Sequence, residues 1–202
     1  MKHIYECALI IKTEADEAST EKIKNIITET VSAEGGEVLL NDDWGVRTFA
    51  QPFRNGSRGH YYYFIYSANG SVNKELERRF RISENLMRHL IVKLGEEGEK
   101  EAILKNYKNP NHDGGNDDRY ELEKDRKTFS KRRSCWFSEK KTQPDWKDVN
   151  SYSWLVNEFG KISPARVTGL RPGFQRKATA AIKRGRCMGM ISYLSNQVAN
   201  RG

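Results

Sequence analysis

Hydrophobic and polar positions change period several times along the first hundred residues, and each change marks an element. His3 to Lys12 alternates and is rich in Ile, Tyr and Leu, as a strand half-buried on a sheet would be. From Asp16 to Glu34, Ala18, Ile23, Ile26, Ile27, Thr30 and Val31 recur at helical spacing, and Gly35-Gly36 stops the helix. Glu37 to Leu40 begins a second strand, resumed from Val46 to Ala50 after a break at Asp42-Asp43-Trp44-Gly45, where Gly45 suits a bulge. Asn55-Gly56 signals a turn, and Gly59 to Ser67 follows as a third strand, almost wholly aromatic or β-branched. Asn69-Gly70 closes it. Val72, Leu76, Arg79 and Phe80 share one face of a second helix, and Leu86 to Leu94 makes the last strand. The order βαββαβ predicts an α+β class: a ferredoxin-like four-stranded antiparallel sheet with two helices on one face. Such a fold serves many functions and decides none by itself.

The tyrosine-rich strand has two faces. Tyr61, Tyr63 and Ile65 point one way, and His60, Tyr62, Phe64 and Tyr66 the other. One set is core beneath the helices. The other lies on the open sheet face, where it either packs on a protein or stacks on bases, as the aromatics of RNA-recognition motifs do on this same topology. Arg58-Gly59-His60-Tyr61 is only faintly like the signature of those motifs.

The pattern then lapses. Asn109 to Asp118 holds no apolar residue able to anchor a core, so 96–130 is expected to be a flexible charged linker, with GEEGEKEAILK and YELEKDRK compatible with helical turns. Periodicity returns after Arg132-Arg133-Ser134-Cys135-Trp136-Phe137. A helix is expected from Val149 to Phe159, with Tyr152, Leu155, Val156 and Phe159 as its stripe and Gly160 as its stop. Ser163 is placed to cap a short helix starting at Pro164, and Gly169 breaks it. Pro172 suits the first turn of a long helix reaching Met190. On that helix Phe174, Ala178, Ala181, Ile182, Gly185, Met188 and Gly189 share an arc, opposite Arg176, Lys177, Lys183 and Arg184. The expected second unit, 131–202, is a small all-α three-helix domain, and the first spans 1–95.

Charge separates these units. Residues 134–202 carry 12 Lys and Arg against 4 Asp and Glu, which leaves 23 of each for the rest, so the formal +8 belongs to the last third alone. Glu158 is the last acidic residue, and nine basic ones follow it. A run of that kind repels itself unless a polyanion lies against it, and phosphate backbones are the usual partner. The second unit is therefore expected to bind a polyanion, with nucleic acid the favoured class.

Other chemistry is scarce. Cys7, Cys135 and Cys187 stand singly, which argues against a zinc site or a disulfide framework, and Cys135 is expected to be a packed thiol. His3, His60, His89 and His112 lie apart, and no P-loop, GxGxxG, HExxH or GxSxG sequence is present, so no catalysis, cofactor or metal is expected. MKHIYECALIIK is expected to be a strand and not a signal peptide, no apolar run is long enough to span a bilayer, and a cytosolic location follows as an expectation. Asn55-Gly56-Ser57 and Asn69-Gly70-Ser71 are then turns rather than glycosylation sites.

Two resemblances emerge from these stretches. HIYECALII, Asp43-Trp44-Gly45-Val46-Arg47, Ala50-Gln51-Pro52, Gly59-His60-Tyr61-Tyr62 and ELERRFRISENLMRHLIVKL together resemble the sixth protein of the bacterial small ribosomal subunit, over residues 1–95. Cys135-Trp136-Phe137, Asp145-x-Lys147-Asp148 and GKISPARVTGLRPGFQRKATAAIKRGR resemble the eighteenth protein of that subunit, over residues 131–195. The resemblance implies a ferredoxin-like first domain, a place on the platform of the small subunit, and central-domain ribosomal RNA bound by the two proteins as a heterodimer. Here both would belong to one chain. Some relatives of the second protein bind zinc through further cysteines; with Cys135 alone kept, no metal is carried over.

By the same resemblance the RNA contacts fall on Arg132, Arg133, Lys161, Arg166, Arg171, Arg176, Lys177, Lys183, Arg184 and Arg186, with Ser163 and Thr168 near that surface. They are expected to touch mainly phosphates, which position a protein without reading sequence. Contacts between the halves or with neighbouring platform proteins are expected at Trp44, Arg47, Tyr61, Tyr63, Arg81, Arg88, Trp136 and Phe137, with the aromatic sheet face or the Trp44–Arg47 edge as the dock. Regulation of translation, by binding a messenger leader through the same basic surface, is the alternative function.

Overall fold

The computed structural model describes residues 2–107, 109–110 and 135–194. The chain forms two compact units, 1–112 and 113–202.

In the first, β1 (His3–Ile11), β2 (Glu37–Phe53), β3 (Gly56–Ala68) and β4 (Leu86–Glu96) form one sheet in the order β2-β3-β1-β4. All three pairings are antiparallel, with Cys7 opposite both Phe64 and Ile91. The helices α1 (Glu17–Ala33) and α2 (Gly70–Ile82) join β1 to β2 and β3 to β4. This is the expected ferredoxin-like arrangement.

Alternation decides which side chains meet the helices. Tyr5, Cys7, Leu9 and Ile11 of β1, with Tyr62, Phe64, Tyr66 and Ala68 of β3, pack against Ile23, Ile27 and Val31 of α1 and Val72, Leu76 and Phe80 of α2. Removing a large apolar side chain of this kind from water contributes about 1.5–3 kcal/mol. Tyr61, Tyr63 and Ile65 therefore lie on the opposite face, yet each is only 1% exposed. Rings so covered offer no surface to a base, and stacking of RNA on an open tyrosine face is set aside.

The expected break in β2 is a bulge within one continuous strand. Register shifts occur between Asp43 and Gly45, and Gly45 holds φ at +72°, a backbone region that a side chain disfavours. Asp43 Oδ1 accepts from the Gly45 amide at 2.8 Å, which fixes the kink.

The sequence places a linker from residue 96. The chain instead stays ordered beyond it, through a 3₁₀ turn (Glu97–Glu99) and the helix α3 (Lys100–Lys105). Tyr107 follows, stacked on Tyr63 with ring centroids 5.1 Å apart and planes 10° apart. The rest of the expected linker, 111–130, lies outside the described residues.

The second unit contains α4 (Trp136–Glu139), α5 (Ala165–Thr168) and α6 (Pro172–Cys187). Pro172 stands in the first turn of α6, as expected. Ala178, Ala181, Ile182 and Gly185 of α6, with Met188 just past its end, are buried, as are Phe137, Trp146, Tyr152, Leu155 and Leu170 of the same unit. The expected arc thus faces inward.

The helix expected over Val149–Phe159 does not form. Two 3₁₀ turns, Val149–Ser151 and Ser153–Leu155, replace it, followed by a bridge between Val156 and Ile162. Local side chains capture the backbone. Asp148 Oδ1 accepts from the Asn150 amide at 3.0 Å, and Ser151 Oγ donates to the Asp148 carbonyl at 2.7 Å. Such bonds compete with helical ones.

Candidate nucleic-acid interface

The candidate interface is built on α6. Because one arc of the helix is packed, Arg176, Lys177 and Lys183 on the other are exposed, and Arg184 is half-buried at their edge. Lys177 Nζ donates to Gln143 Oε1 at 2.9 Å. Among the described residues no ion pair joins these four cations to a carboxylate, and no acid follows Glu158 that could supply one. Exposed cations of this kind suit phosphates, arginine as a fork and lysine as a point charge.

Shorter elements frame this helix. Lys161, Arg166 and Arg171 are exposed on the segments that lead into it. Ser163 does not cap α5: Pro164 is the residue before its first turn and the Ser163 carbonyl accepts from Gln175 Nε2 at 3.0 Å. Thr168 Oγ1 donates to Gln175 Oε1 at 3.1 Å. Through Gln175 both residues, each half-buried, tie the segment before α6 to the helix. Arg132 and Arg133 lie outside the described residues.

Arg186 is drawn inward. One of its terminal nitrogens donates to the Gly160 carbonyl, and its guanidinium lies 5.3 Å from the centre of the Tyr193 ring. Trp136 and Phe137, expected to meet the other half or a partner, also serve their own unit. Phe137 is fully buried and stacks on Phe174 at 5.6 Å, while Trp136 packs edge-on against Phe137 and near Trp154.

On the first unit Trp44 stacks on Tyr63 at 4.8 Å and donates from Nε1 to the Tyr107 hydroxyl at 2.9 Å. That hydroxyl donates in turn to Asp42, which also accepts from Asn109 Nδ2 at 2.8 Å. The Arg47 guanidinium lies over Trp44 and Tyr61, 5.6 and 5.9 Å from the ring centres, where burial lowers its pKa. Sequence reasoning missed Tyr107, whose signal was one aromatic following Ile103 and Leu104 in an otherwise charged stretch. Arg81 is exposed, 4.0 Å from Glu77. Exposed Arg88 lies 4.8 Å over the Phe53 ring and lines a shallow pocket with Arg54, Asn55 and Met87.

One constellation has the outline of a catalytic relay. His60 Nε2 lies 2.6 Å from Asp43 Oδ1, and the Tyr62 hydroxyl lies 3.2 Å from His60 Nδ1. A nucleophile needs its pKa brought down. Burial, helped by the Asp43 charge, instead pushes the Tyr62 phenol up to about 12. Burial likewise raises the Cys7 thiol. At Cys135 burial acts upward as well, but hydrogen bonds led by that from the Arg171 backbone prevail and lower it. No group of three metal-ligating side chains occurs among the described residues, and none of their helices is long and apolar enough to cross a membrane.

Comparison with known proteins gives this surface a context. The family model of Ribosomal protein S6 matches residues 4–93, and that of Ribosomal protein S18 matches residues 140–191. Small ribosomal subunit protein bS6 of Rickettsia felis is 32% identical over 108 residues, covering 53% of this chain and 89% of that protein. Its counterpart in Nitratiruptor is 39% identical over 94 residues, or 46% of this chain and 72% of that protein. The crystal structure of 30S ribosomal protein S6 from Thermotoga maritima aligns with a TM-score of 0.46 at 20% identity, covering 52% of this chain and all of that one. The chain belongs to the Ribosomal protein S6 family and joins to it, in one polypeptide, a Ribosomal protein S18 region, which makes it a structural, non-enzymatic protein of the small ribosomal subunit.

Proposed function

We propose that the second unit binds small-subunit ribosomal RNA in its central domain, and that the two units pair within one molecule to do so, in the ribosome of the cytoplasm. The observation that carries this reading is the outer arc of α6, where Arg176, Lys177 and Lys183 stand exposed in a stretch without a single acid after Glu158. Its rigid backing matters. The inner arc is packed from Ala178 to Met188, so the cations are presented at fixed spacing and less entropy is lost on binding.

Pairing within one chain is supported by covalent linkage: the two family-matched regions, 4–93 and 140–191, belong to one polypeptide. Joining two binding units in this way raises the effective concentration of each for the other to about the millimolar range. Two separately made proteins would have to find each other at cellular concentration.

Retention on small ribosomal subunits through a high-salt wash tests the reading. The full chain is expected to stay with the particles, and the Arg176→Glu/Lys183→Glu double variant to wash off while melting at the wild-type temperature. Equal retention of both would place the RNA face elsewhere. Loss of both at moderate salt would remove the ribosomal role of the basic surface.

A further inference from the structure

The tip of the loop between Val156 and Ile162 presents an aromatic ring to solvent in the most basic part of the protein. Phe159 is 74% exposed, more than any other large hydrophobic residue described. Single exposed apolar residues are common and mean little alone. Two further observations set this one apart.

First, the tip is rigid. Asn157 Oδ1 accepts from the amides of both Phe159, at 3.1 Å, and Lys161, at 2.7 Å. The Gly160 amide donates to the Asn157 carbonyl at 2.9 Å, and the Asn157 amide to the Lys161 carbonyl at 2.9 Å. Gly160 holds φ at +75° and lies so close to the Tyr193 backbone that a Cβ there would collide with it. The backbone that carries the ring is fixed by these bonds, while the ring itself stands in water.

Second, its surroundings alternate cation and ring. Arg186 bonds the Gly160 carbonyl at the base of the tip and stacks on Tyr193, which is itself 55% exposed. Lys161 is exposed two residues from Phe159. Cations that follow a backbone, interleaved with aromatic faces, are the arrangement by which proteins hold single-stranded nucleic acid. Glu158, the exposed residue before Phe159, disfavours a phosphate at the tip and leaves a base as the group suited to approach there.

From this geometry we infer that Phe159 is a stacking platform for one unpaired base of RNA, with Lys161 and the Arg186–Tyr193 pair along the adjoining strand. The inference rests on the RNA-binding reading above and adds to it a site distinct from Arg176, Lys177 and Lys183.

The test is binding of the full chain to a central-domain ribosomal RNA fragment across a salt series. Four proteins are compared: wild type, Phe159→Ala, Phe159→Tyr, and Arg176→Glu/Lys183→Glu. Loss of a stacked base weakens binding by about 5- to 150-fold. Phe159→Ala is expected to fall in that range with the wild-type salt slope, because no phosphate contact is lost, and Phe159→Tyr to bind as wild type. The double variant is expected to bind more weakly with a shallower slope. Wild-type affinity of Phe159→Ala beside a weakened double variant overturns the stacking site and leaves the RNA reading standing. Wild-type affinity of both variants removes the RNA reading itself. A lowered melting temperature of Phe159→Ala also overturns the proposal, since the ring would then be packing on the protein. So does poor incorporation of that variant into subunits with unchanged RNA affinity, which would place the ring in a protein pocket.

Discussion

Tyr107 lies beyond the region that matches the S6 family, yet it closes the sheet face of that unit, and its removal has a calculable cost. Its ring stacks on Tyr63, a contact worth about 0.5–1.5 kcal/mol beyond area burial. Its hydroxyl accepts from Trp44 Nε1 and donates to the Asp42 carboxylate, bonds worth about 0.5–1.5 and 1.5–3 kcal/mol in turn. The phenol is half-buried, so values at the low end apply. Tyr107→Phe keeps the stack and loses both bonds, for about 2 kcal/mol; Tyr107→Ala loses the stack as well, for about 3–4 kcal/mol. Amide hydrogen exchange of the full chain, followed by mass spectrometry of peptides from β2 and α3, separates this unit from the other. Faster exchange is expected in both elements, in the order wild type, Phe, Ala. Unchanged protection in Tyr107→Ala would refute the argument that this segment clamps the sheet.

Further outcomes follow from other contacts. Gly185→Ala places a methyl group against the Tyr152 hydroxyl, which itself donates to the Trp146 carbonyl at 3.0 Å. Overpacking there should destabilise the second unit by about 1–3 kcal/mol, read as a lower urea midpoint. Phe174→Ala removes a half-buried ring stacked on Phe137 and should cost about 2–3 kcal/mol in the same assay; no loss would mean that the stack contributes nothing. Burial raises the phenols of Tyr61, Tyr62, Tyr66, Tyr107 and Tyr152, Tyr62 to about 12. Their neutral forms are thus favoured by folding. The associated stability is complete below the unfolded value of about 10 and is lost as pH rises from there toward and beyond about 12, so the melting temperature should fall from about pH 10 upward.

Much of the first unit was legible because period and turn chemistry agreed. Alternation in β1, the 3.6-residue pattern in α1 and the Asn-Gly turn before β3 all point to one topology. Gly45 was legible too, as a bulge, although the strand runs through it instead of stopping. What the sequence concealed was tertiary. Residues 97–107 look like a linker by composition, and only the folded sheet shows Tyr63 offering Tyr107 a ring to stack on and Trp44 a donor to its hydroxyl.

In the second unit the basic arc of α6 could be read from spacing, whereas the segment before it could not. Tyr152, Leu155, Val156 and Phe159 fall at helical intervals, but Asp148, Ser151 and Asn157 divert the backbone into turns. The same diversion carries Phe159 from a supposed core stripe to an exposed tip. Arg186 is the converse case. Its charge marks it for RNA, while the fold sets it against the Gly160 carbonyl and Tyr193.

The central claim is that two units in one chain bind ribosomal RNA together. Its most direct test is a salt series of binding to a central-domain ribosomal RNA fragment carrying the neighbouring assembly protein, with the full chain and with a truncation lacking residues 1–110. Specific binding by the full chain, with affinity falling steeply with salt, and much weaker binding by the truncation are predicted. Equal binding by both, without preference among RNAs, would contradict the account: the basic unit would be a general polyanion binder, and the first unit would have no part in recognition.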